Sequence, residues 1–194
     1  MNAFDYFNYA AWILGRNRLE LHLPDYRKAA VLVALTLEDH PRVLLTVRSS
    51  ALPTHAGQIS FPGGRLEAGE TVLEAALREA FEEVALDSSQ VAVLGLLDDT
   101  FTPAGFQVTP VLARIPPNLT LELSAEVVQI LWVPLEDLAR LRPEKLERVS
   151  PDGVRHSIYR FPWTDSQGFE HDIWGMTARI LFGLLHPELG GLEY

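Results

Sequence analysis

The sequence lacks cysteine altogether among its 194 residues. Disulfide bonds, thiolate metal sites and a cysteine nucleophile are therefore excluded. A cysteine-free chain fits a reducing compartment, so we expect a cytoplasmic protein.

Long apolar runs and a basic leader are also missing. The first 18 residues, MNAFDYFNYAAWILGRNR, carry no basic segment ahead of an apolar run, which argues against a secretory signal. Uninterrupted apolar stretches such as AAVLVAL are only a few residues long and far too short to span a membrane. We therefore expect no membrane partner.

Positive charge is scarce, with 16 Lys and Arg against 26 Asp and Glu and a net charge of −10. Binding to a nucleic-acid backbone requires clustered cations, so we expect no nucleic-acid partner. If the substrate is an anion, a metal cation or a local arginine cluster must reverse the field at the site. The sequence also lacks a G-x-S-x-G elbow, which disfavours Ser/His/Asp hydrolysis.

Hydrophobic residues make up 47% of the chain, which is enough for a sizeable core. The length suits a single domain over 1–194. Aromatic and aliphatic residues recur at helical spacing within 3–15, so we expect 1–25 to form an N-terminal helical extension. This extension is a candidate to cover the domain or a partner in a homodimer.

The pattern of apolar residues predicts an α/β fold. Strands are predicted at 28–37, 42–49, near 58–61, 91–99, 106–115 and 127–134, followed by a late hairpin from 153–161 and 168–174. Helices are predicted at 71–84, from Pro134 onward and at 175–185. Because strands occur both before and after the central helix, we expect a mixed sheet with helices on its faces.

The predicted helix at 71–84 carries an apolar stripe and a cluster of acids. The stripe consists of Leu73, Ala76, Leu77, Ala80 and Val84. Beside it, Glu79, Glu82 and Glu83 fall within an arc of roughly 100° and repel one another. A divalent cation removes this repulsion, and carboxylate oxygens suit Mg²⁺ or Mn²⁺. The alternative is a solvated glutamate-rich surface, and the cluster alone leaves it open.

The surrounding residues favour a site. Gly63 and Gly64 let the backbone pass close to a ligand or metal before the helix begins. Glu70 lies eight residues before Arg78, and a pair between them would tie the loop to the helix and aim the carboxylates.

These residues resemble the Nudix box, G-x5-E-x7-R-E-U-x-E-E-x-G-U, in which U is aliphatic. The matching residues are Gly64, Glu70, Arg78, Glu79, Ala80, Glu82, Glu83 and Leu86. Ala85 departs from the pattern, because the family has glycine where a left-handed turn commonly follows the helix. Alanine there costs about 1 kcal/mol or forces a different turn.

The resemblance implies a Nudix hydrolase, an α/β/α sandwich with a strand–loop–helix catalytic motif. Such enzymes cleave a nucleoside diphosphate linked to another moiety with Mg²⁺ or Mn²⁺. By resemblance, Glu79, Glu82 and Glu83 are metal and base residues, and which of them takes the proton stays open. The Gly63 or Gly64 carbonyl is a further metal-binding candidate. Glu126 is either an acid near the metals or a loop carboxylate.

A second resemblance covers LLTVRSSALPTHAGQISFPGG, residues 44–64, which is similar to the extra signature of coenzyme A pyrophosphatases. The matching residues are Leu44, Leu45, Thr46, Arg48, Ser49, Gly57, Phe61, Pro62, Gly63 and Gly64. Pro53 departs, since that signature usually has a basic residue there. The resemblance implies hydrolysis of coenzyme A or its thioesters to 3′,5′-ADP and 4′-phosphopantetheine.

Substrate contacts follow from this second resemblance. Arg48 and Arg65 are candidates to bind phosphates, with surface salt bridges as the alternative. A structural role is expected for His55, and we expect Trp174 and Met176 to belong to the core rather than to an aromatic clamp.

Two other functions remain open. The first is pyrophosphatase activity on ADP-ribose, a dinucleotide or a nucleoside triphosphate. The second is a non-catalytic, nucleotide-binding regulatory module, which the retained RExxEE residues disfavour.

Overall fold

The computed structural model describes residues 15, 17–51, 57–149 and 155–186. Most of the predicted N-terminal helical extension at 1–25 lies outside these residues, and so do Pro53 and His55. The prediction is wrong for 17–25, which contain no helix and run as an irregular segment into β1. In the described range no helix is long and apolar enough to cross a membrane.

Eleven strands and three α-helices are present in the described residues. The strands are β1 (Arg27–Thr36), β2 (Arg42–Arg48), β3 (Ile59–Ser60), β4 (Gly63–Arg65), β5 (Ala92–Leu96), β6 (Thr100–Thr102), β7 (Phe106–Ile115), β8 (Val127–Pro134), β9 (Glu144–Val149), β10 (Arg155–Thr164) and β11 (Glu170–Trp174). The helices are α1 (Val72–Val84), α2 (Leu135–Arg140) and α3 (Gly175–Leu185).

β1 to β8 form one mixed sheet, as the sequence predicts. β1 runs parallel to β7 over its full length, and β2 is antiparallel to β8. β1 and β2 meet only beside their turn, where Leu35 lies opposite Val43. Beyond that point the two strands diverge, and β4 takes the place beside β1.

β4 was not among the predicted strands, which placed a strand near 58–61 but none at Gly63 and Gly64. Gly63 lies opposite Val31 in the antiparallel pair with β1. A Cβ atom at position 63 would overlap the carbonyl oxygen of Ala30 and the Cα of Val31. Two residues without side chains give no alternating pattern, so this strand forms through close backbone approach that only glycine allows.

The side chains of β1 alternate between two cores. Val31, Val33 and Leu35 face one core, which also contains residues of α2, α3, β10 and β11. Ala30 and Leu32 face the other core, which is covered by α1. Helices on both faces of a mixed sheet make an α/β sandwich, which confirms the predicted fold class.

α1 begins and ends close to the predicted residues. Thr71 and Glu74 form a capping box at its start. The chain leaves the helix through Ala85, which has φ 55° and ψ 32°. The left-handed turn expected for glycine is therefore kept, with alanine in it.

β9, β10 and β11 form a second, antiparallel sheet. The predicted hairpin is confirmed as β10 and β11, but β9 was missed because EKLERV is mostly charged. The core prediction is wrong for Trp174, which is 37% exposed at the end of β11, whereas Met176 packs against the core.

Candidate active site

Two glutamates of the acidic cluster lie where α1 passes over β4. The carboxylate of Glu79 occupies the space beside Gly64, and a Cβ atom at position 64 would overlap it. The backbone of Gly63 lowers the pKa of Glu83, so that carboxylate lies close to the same strand. The two glycines of β4 therefore lie beside two carboxylates of α1.

Arg78 joins the loop to the helix, as the sequence predicts. Its Nε and Nη2 donate to the two carboxylate oxygens of Glu70 at 2.8 and 3.1 Å. Nη2 also donates to the carbonyl oxygen of Arg65 at 3.0 Å. Nη1 donates at 3.0 Å to both Glu79 Oε1 and Glu82 Oε2. One guanidinium thus positions three acidic side chains and the backbone that follows Gly64.

Glu83 is the most electrostatically unfavourable acid of the site. Burial, followed by the nearby Glu79 carboxylate, raises the pKa of Glu83 to about 8, while Arg48 opposes the shift. Within the described structure, Glu83 Oε2 is buried without a hydrogen-bond partner. An ionised carboxylate in this place lacks a sufficient counter-charge.

The pKa values of Glu79 and Glu70 are shifted in opposite directions from their usual values. Burial raises the pKa of Glu79, although hydrogen bonding to Arg78 opposes the shift. Hydrogen bonding to the same arginine lowers the pKa of Glu70. Arg78 therefore neutralises the loop acid more completely than the acids of the helix.

Glu126 reaches the cluster from the loop before β8. Ser124 N–H donates to the main-chain oxygen of Glu83 at 3.0 Å, which fixes this loop at the end of α1. Glu126 Oε2 pairs with Arg48 Nη1 at 3.2 Å, and the negative charge of Glu126 also raises the pKa of Glu83. Arg48 and Glu126, which were predicted separately, are thus in contact with each other and close to the helix acids.

The acids suit a hard divalent cation in chemistry, but they do not converge on one point. Across the described residues, no three Asp, Glu, His or Cys side chains lie close enough to hold an ion. Glu82 contacts Arg78 instead, and Glu126 contacts Arg48. Both side chains are more than half exposed, at 55% and 57%, so they can rotate toward the buried oxygen of Glu83. The donors therefore fit Mg²⁺ or Mn²⁺ once these two pairs open.

Arg65 follows Gly64 directly and is exposed. Because strand side chains alternate, it projects to the face opposite the one that holds the Glu79 carboxylate. Its side chain is therefore beside the loop but not within the acidic cluster.

Sequence reasoning missed a groove of about 740 Å³ on the outer side of α1. Leu77, Arg78 and Phe81 form one wall, and residues 67–70 form another. Phe81 is 60% exposed there. The spacing of Leu73, Leu77 and Phe81 four residues apart was the available signal, but we assigned the first two to the core stripe.

Comparisons with known proteins agree with this arrangement. Residues 26–153 match the family described as the NUDIX domain. The chain is 39% identical over 178 residues to an uncharacterized Nudix hydrolase, NudL, of Photorhabdus laumondii subsp. laumondii, covering 87% of this chain and 92% of that protein.

Solved structures give the same result. A C. elegans Ap4A hydrolase in a binary complex has a TM-score of 0.50 and 29% identity, covering 56% of this chain and 81% of that chain. A Nudix hydrolase from M. smegmatis, RenU, has a TM-score of 0.51 and 24% identity, covering 59% of this chain and 74% of that chain. The second likeness concerns the fold alone.

Proposed function

The chain belongs to the Nudix hydrolase family, and from this premise we propose that it cleaves coenzyme A or its thioesters to 3′,5′-ADP and 4′-phosphopantetheine or its acyl derivative. Nudix hydrolases generally use divalent ions such as Mg²⁺ or Mn²⁺, and we propose the same requirement here. We place the reaction in the cytoplasm, in keeping with the cysteine-free sequence.

One observation carries the proposal for catalysis. Glu79 is held beside Gly64 by Arg78, while Glu83, on the same helix, keeps a buried oxygen that no described residue satisfies. A buried carboxylate that lacks enough hydrogen-bond donors and positive charge, and that lies beside further acids, indicates a cation-binding site. It does not stabilise the fold as a surface charge would.

The substrate proposal is supported by the segment 44–64 and its placement. Its last two residues, Gly63 and Gly64, form β4 at the acids, and Arg48 ends β2 beside Glu126. Signature residues therefore lie on two sides of the acidic cluster. This arrangement supports contact between the signature and the group that is cleaved.

The reaction transfers a phosphoryl centre to water. The water oxygen forms a bond to phosphorus, the bridging P–O bond breaks, and the bridging oxygen leaves with the electron pair on the other phosphate. A bound divalent ion supplies charge neutralisation and makes the attacking water more acidic.

The residues of this chain divide the remaining tasks. Glu79, Glu82 and Glu83 would hold the ion with help from Glu126 and the Gly63 carbonyl, and one of the acids accepts the proton. Arg78 and Glu70 position the helix acids. Arg48, Arg65 and the backbone at Gly63 and Gly64 bind phosphate.

The test is identification of products by mass spectrometry. The purified protein is incubated with coenzyme A and Mg²⁺ or Mn²⁺, and in parallel with a chelator. We expect 3′,5′-ADP and 4′-phosphopantetheine only when the ion is present. Efficient turnover of ADP-ribose or a dinucleotide with coenzyme A untouched would contradict the substrate, and full activity in the chelator would contradict the chemistry.

A variant tests the role of the buried acid. Glu83→Gln should lower kcat/KM at least about a hundredfold because it removes a charge in contact with the reacting centre. The control is Glu122→Gln, which changes an exposed acid whose backbone N–H donates to the main-chain oxygen of Val84 at the end of α1. Equal activity of both variants would remove Glu83 from the mechanism.

A further inference from the structure

Arg27 and Arg65 are exposed cations; Arg27 has no role in the reaction described above, and Arg65 is assigned there to a phosphate that is not specified. Other arginines, such as Arg42, Arg78 and Arg160, form ion pairs with glutamate or aspartate. Across the described residues, neither Arg27 nor Arg65 has an acidic partner within salt-bridge distance. In a chain of net charge −10, two neighbouring cations without acids need an explanation.

The two side chains share one face of the sheet. Arg65 lies opposite Ala29 in the β1–β4 pair. Arg27 precedes Ala29 by two residues on β1, so its side chain projects to the same face. Diagonal neighbours of this kind have Cα atoms about 7–8 Å apart. Two long guanidinium side chains at that spacing can both reach one tetrahedral anion.

Arg27 is held in place before any ligand arrives. Its Nη2 donates to the carbonyl oxygen of Ala104 at 2.9 Å. Its guanidinium also lies over the ring of Phe106, 4.0 Å from the centroid. These contacts use one N–H group and one face of the guanidinium, which leaves further N–H donors for an anion.

The pair lies next to the acidic cluster. Arg65 is the residue after Gly64, against which the Glu79 carboxylate packs, and one residue of strand corresponds to about 3.3 Å. The Arg65 backbone is fixed as well, because its carbonyl oxygen accepts a hydrogen bond from Arg78. The two arginines thus lie on the opposite face of β4 from the carboxylates, and Arg65 adjoins the glycine that contacts Glu79.

We propose that Arg27 and Arg65 form an anion subsite that binds a phosphate monoester of the substrate, separate from the anhydride that is cleaved. This inference rests on the proposed function, under which the bound group is the 3′-phosphate of coenzyme A. The subsite makes the enzyme selective for a nucleoside diphosphate derivative that carries this additional phosphate.

The test compares coenzyme A with 3′-dephospho-coenzyme A in the wild type, Arg27→Gln and Arg65→Gln. Wild-type kcat/KM should be higher for coenzyme A. Arg27→Gln should lose about tenfold or more of kcat/KM for coenzyme A, mainly through KM, because charged hydrogen bonds to the phosphate are lost. Its kcat/KM for the dephosphorylated compound should stay unchanged.

The matched control is Lys28→Gln. It removes one positive charge at the adjacent position, but alternation along β1 directs that side chain to the other face. Both substrates should react at wild-type rates with this variant. If Lys28→Gln lost as much selectivity for coenzyme A over the dephosphorylated compound as Arg27→Gln does, the effect would come from net charge. That result would overturn the subsite.

Two results separate failure of the subsite from failure of the proposed function. Wild-type turnover of both compounds at equal kcat/KM, or an equal loss for both in Arg27→Gln, would overturn the subsite while the proposed hydrolase activity stands.

If neither compound is cleaved, the proposed function fails, and calorimetric titration tests the subsite instead. Adenosine 3′,5′-bisphosphate should then bind more weakly to Arg27→Gln than to the wild type, with adenosine 5′-monophosphate unaffected; equal affinities would overturn it.

Discussion

Ala85 is a single residue in a conformation that glycine adopts more easily. Its φ of 55° brings the Cβ atom close to the following backbone, at a cost of about 1–2 kcal/mol. Ala85→Gly relieves this strain but adds conformational freedom to the unfolded chain. We expect the free energy of unfolding in urea to rise by about 1 kcal/mol. Ala139→Gly is the control, since this exposed position in α2 should become less stable instead.

The two neighbouring glycines of β4 should respond differently to substitution by alanine. The three atoms nearest to a Cβ atom at Gly64 all belong to the Glu79 carboxylate, the movable end of a side chain. Gly64→Ala should therefore leave the free energy of unfolding within about 1 kcal/mol of the wild type, yet lower kcat about tenfold or more by displacing a reacting group. Steady-state kinetics and urea unfolding on the same preparation measure both quantities.

Gly63→Ala is the contrasting variant. Its Cβ atom meets backbone atoms of Ala30 and Val31, which cannot move without opening the β1–β4 pair. Its free energy of unfolding should fall by about 2 kcal/mol or more. If Gly64→Ala were instead the less stable of the two, Glu79 would not be the group that fills the space beside position 64.

At the scale of an element, α1 and its loop are one unit held by Arg78. Lysine keeps the charge but cannot make the bidentate contact to Glu70 together with the bond to the Arg65 carbonyl. Arg78→Lys should therefore lower kcat/KM about tenfold or more. Its circular-dichroism spectrum should retain the helix.

The control for Arg78 lies on another helix. Arg140 pairs with Glu136 four residues earlier and is largely exposed. Arg140→Lys should have wild-type activity, because an exposed pair of this kind contributes about 0.5 kcal/mol. Equal kinetics of Arg78→Lys and the wild type would show that charge alone positions the acids.

Much of α1 could be predicted from sequence because its signals are local. The apolar spacing, the capping residues and the eight-residue separation of Glu70 and Arg78 all act within a few helical turns. β4 could not be predicted, since its two glycines carry no side-chain pattern and its partner lies more than 30 residues earlier. The pair between Arg48 and Glu126 was equally hidden, because it depends on how β2 and the loop before β8 meet.

At the scale of the whole molecule, pairing between distant strands decides what the sequence pattern leaves open. The pattern predicts that 28–37 and 106–115 are strands, but not that they lie side by side and parallel. Their pairing brings Arg27 beside Phe106, and the split between β1 and β2 makes room for β4. The acidic site and the proposed anion subsite both depend on this long-range arrangement.

Asp99 connects the segment before β1 to the strands that follow α1. It is only 3% exposed and pairs with Arg18 at 3.0 Å. It also accepts hydrogen bonds from the N–H of Leu21, from Gln107 and from Thr109. No local pattern indicates these contacts, since about 80 residues separate Arg18 and Leu21 from Asp99.

Removing the Asp99 carboxylate should therefore weaken the attachment of the segment before β1 to β7. Asp99→Ala leaves Arg18 with Glu20 as its remaining acidic partner and removes an acceptor from the buried Gln107 and Thr109 side chains, so we expect a loss of about 3 kcal/mol in the free energy of unfolding. Hydrogen exchange should accelerate in 18–23 and 107–109 while α1 stays protected. Asp39→Asn, which changes an exposed aspartate, is the control for charge. If exchange in 18–23 matched the wild type, contacts other than those of Asp99 would hold this segment against the sheet.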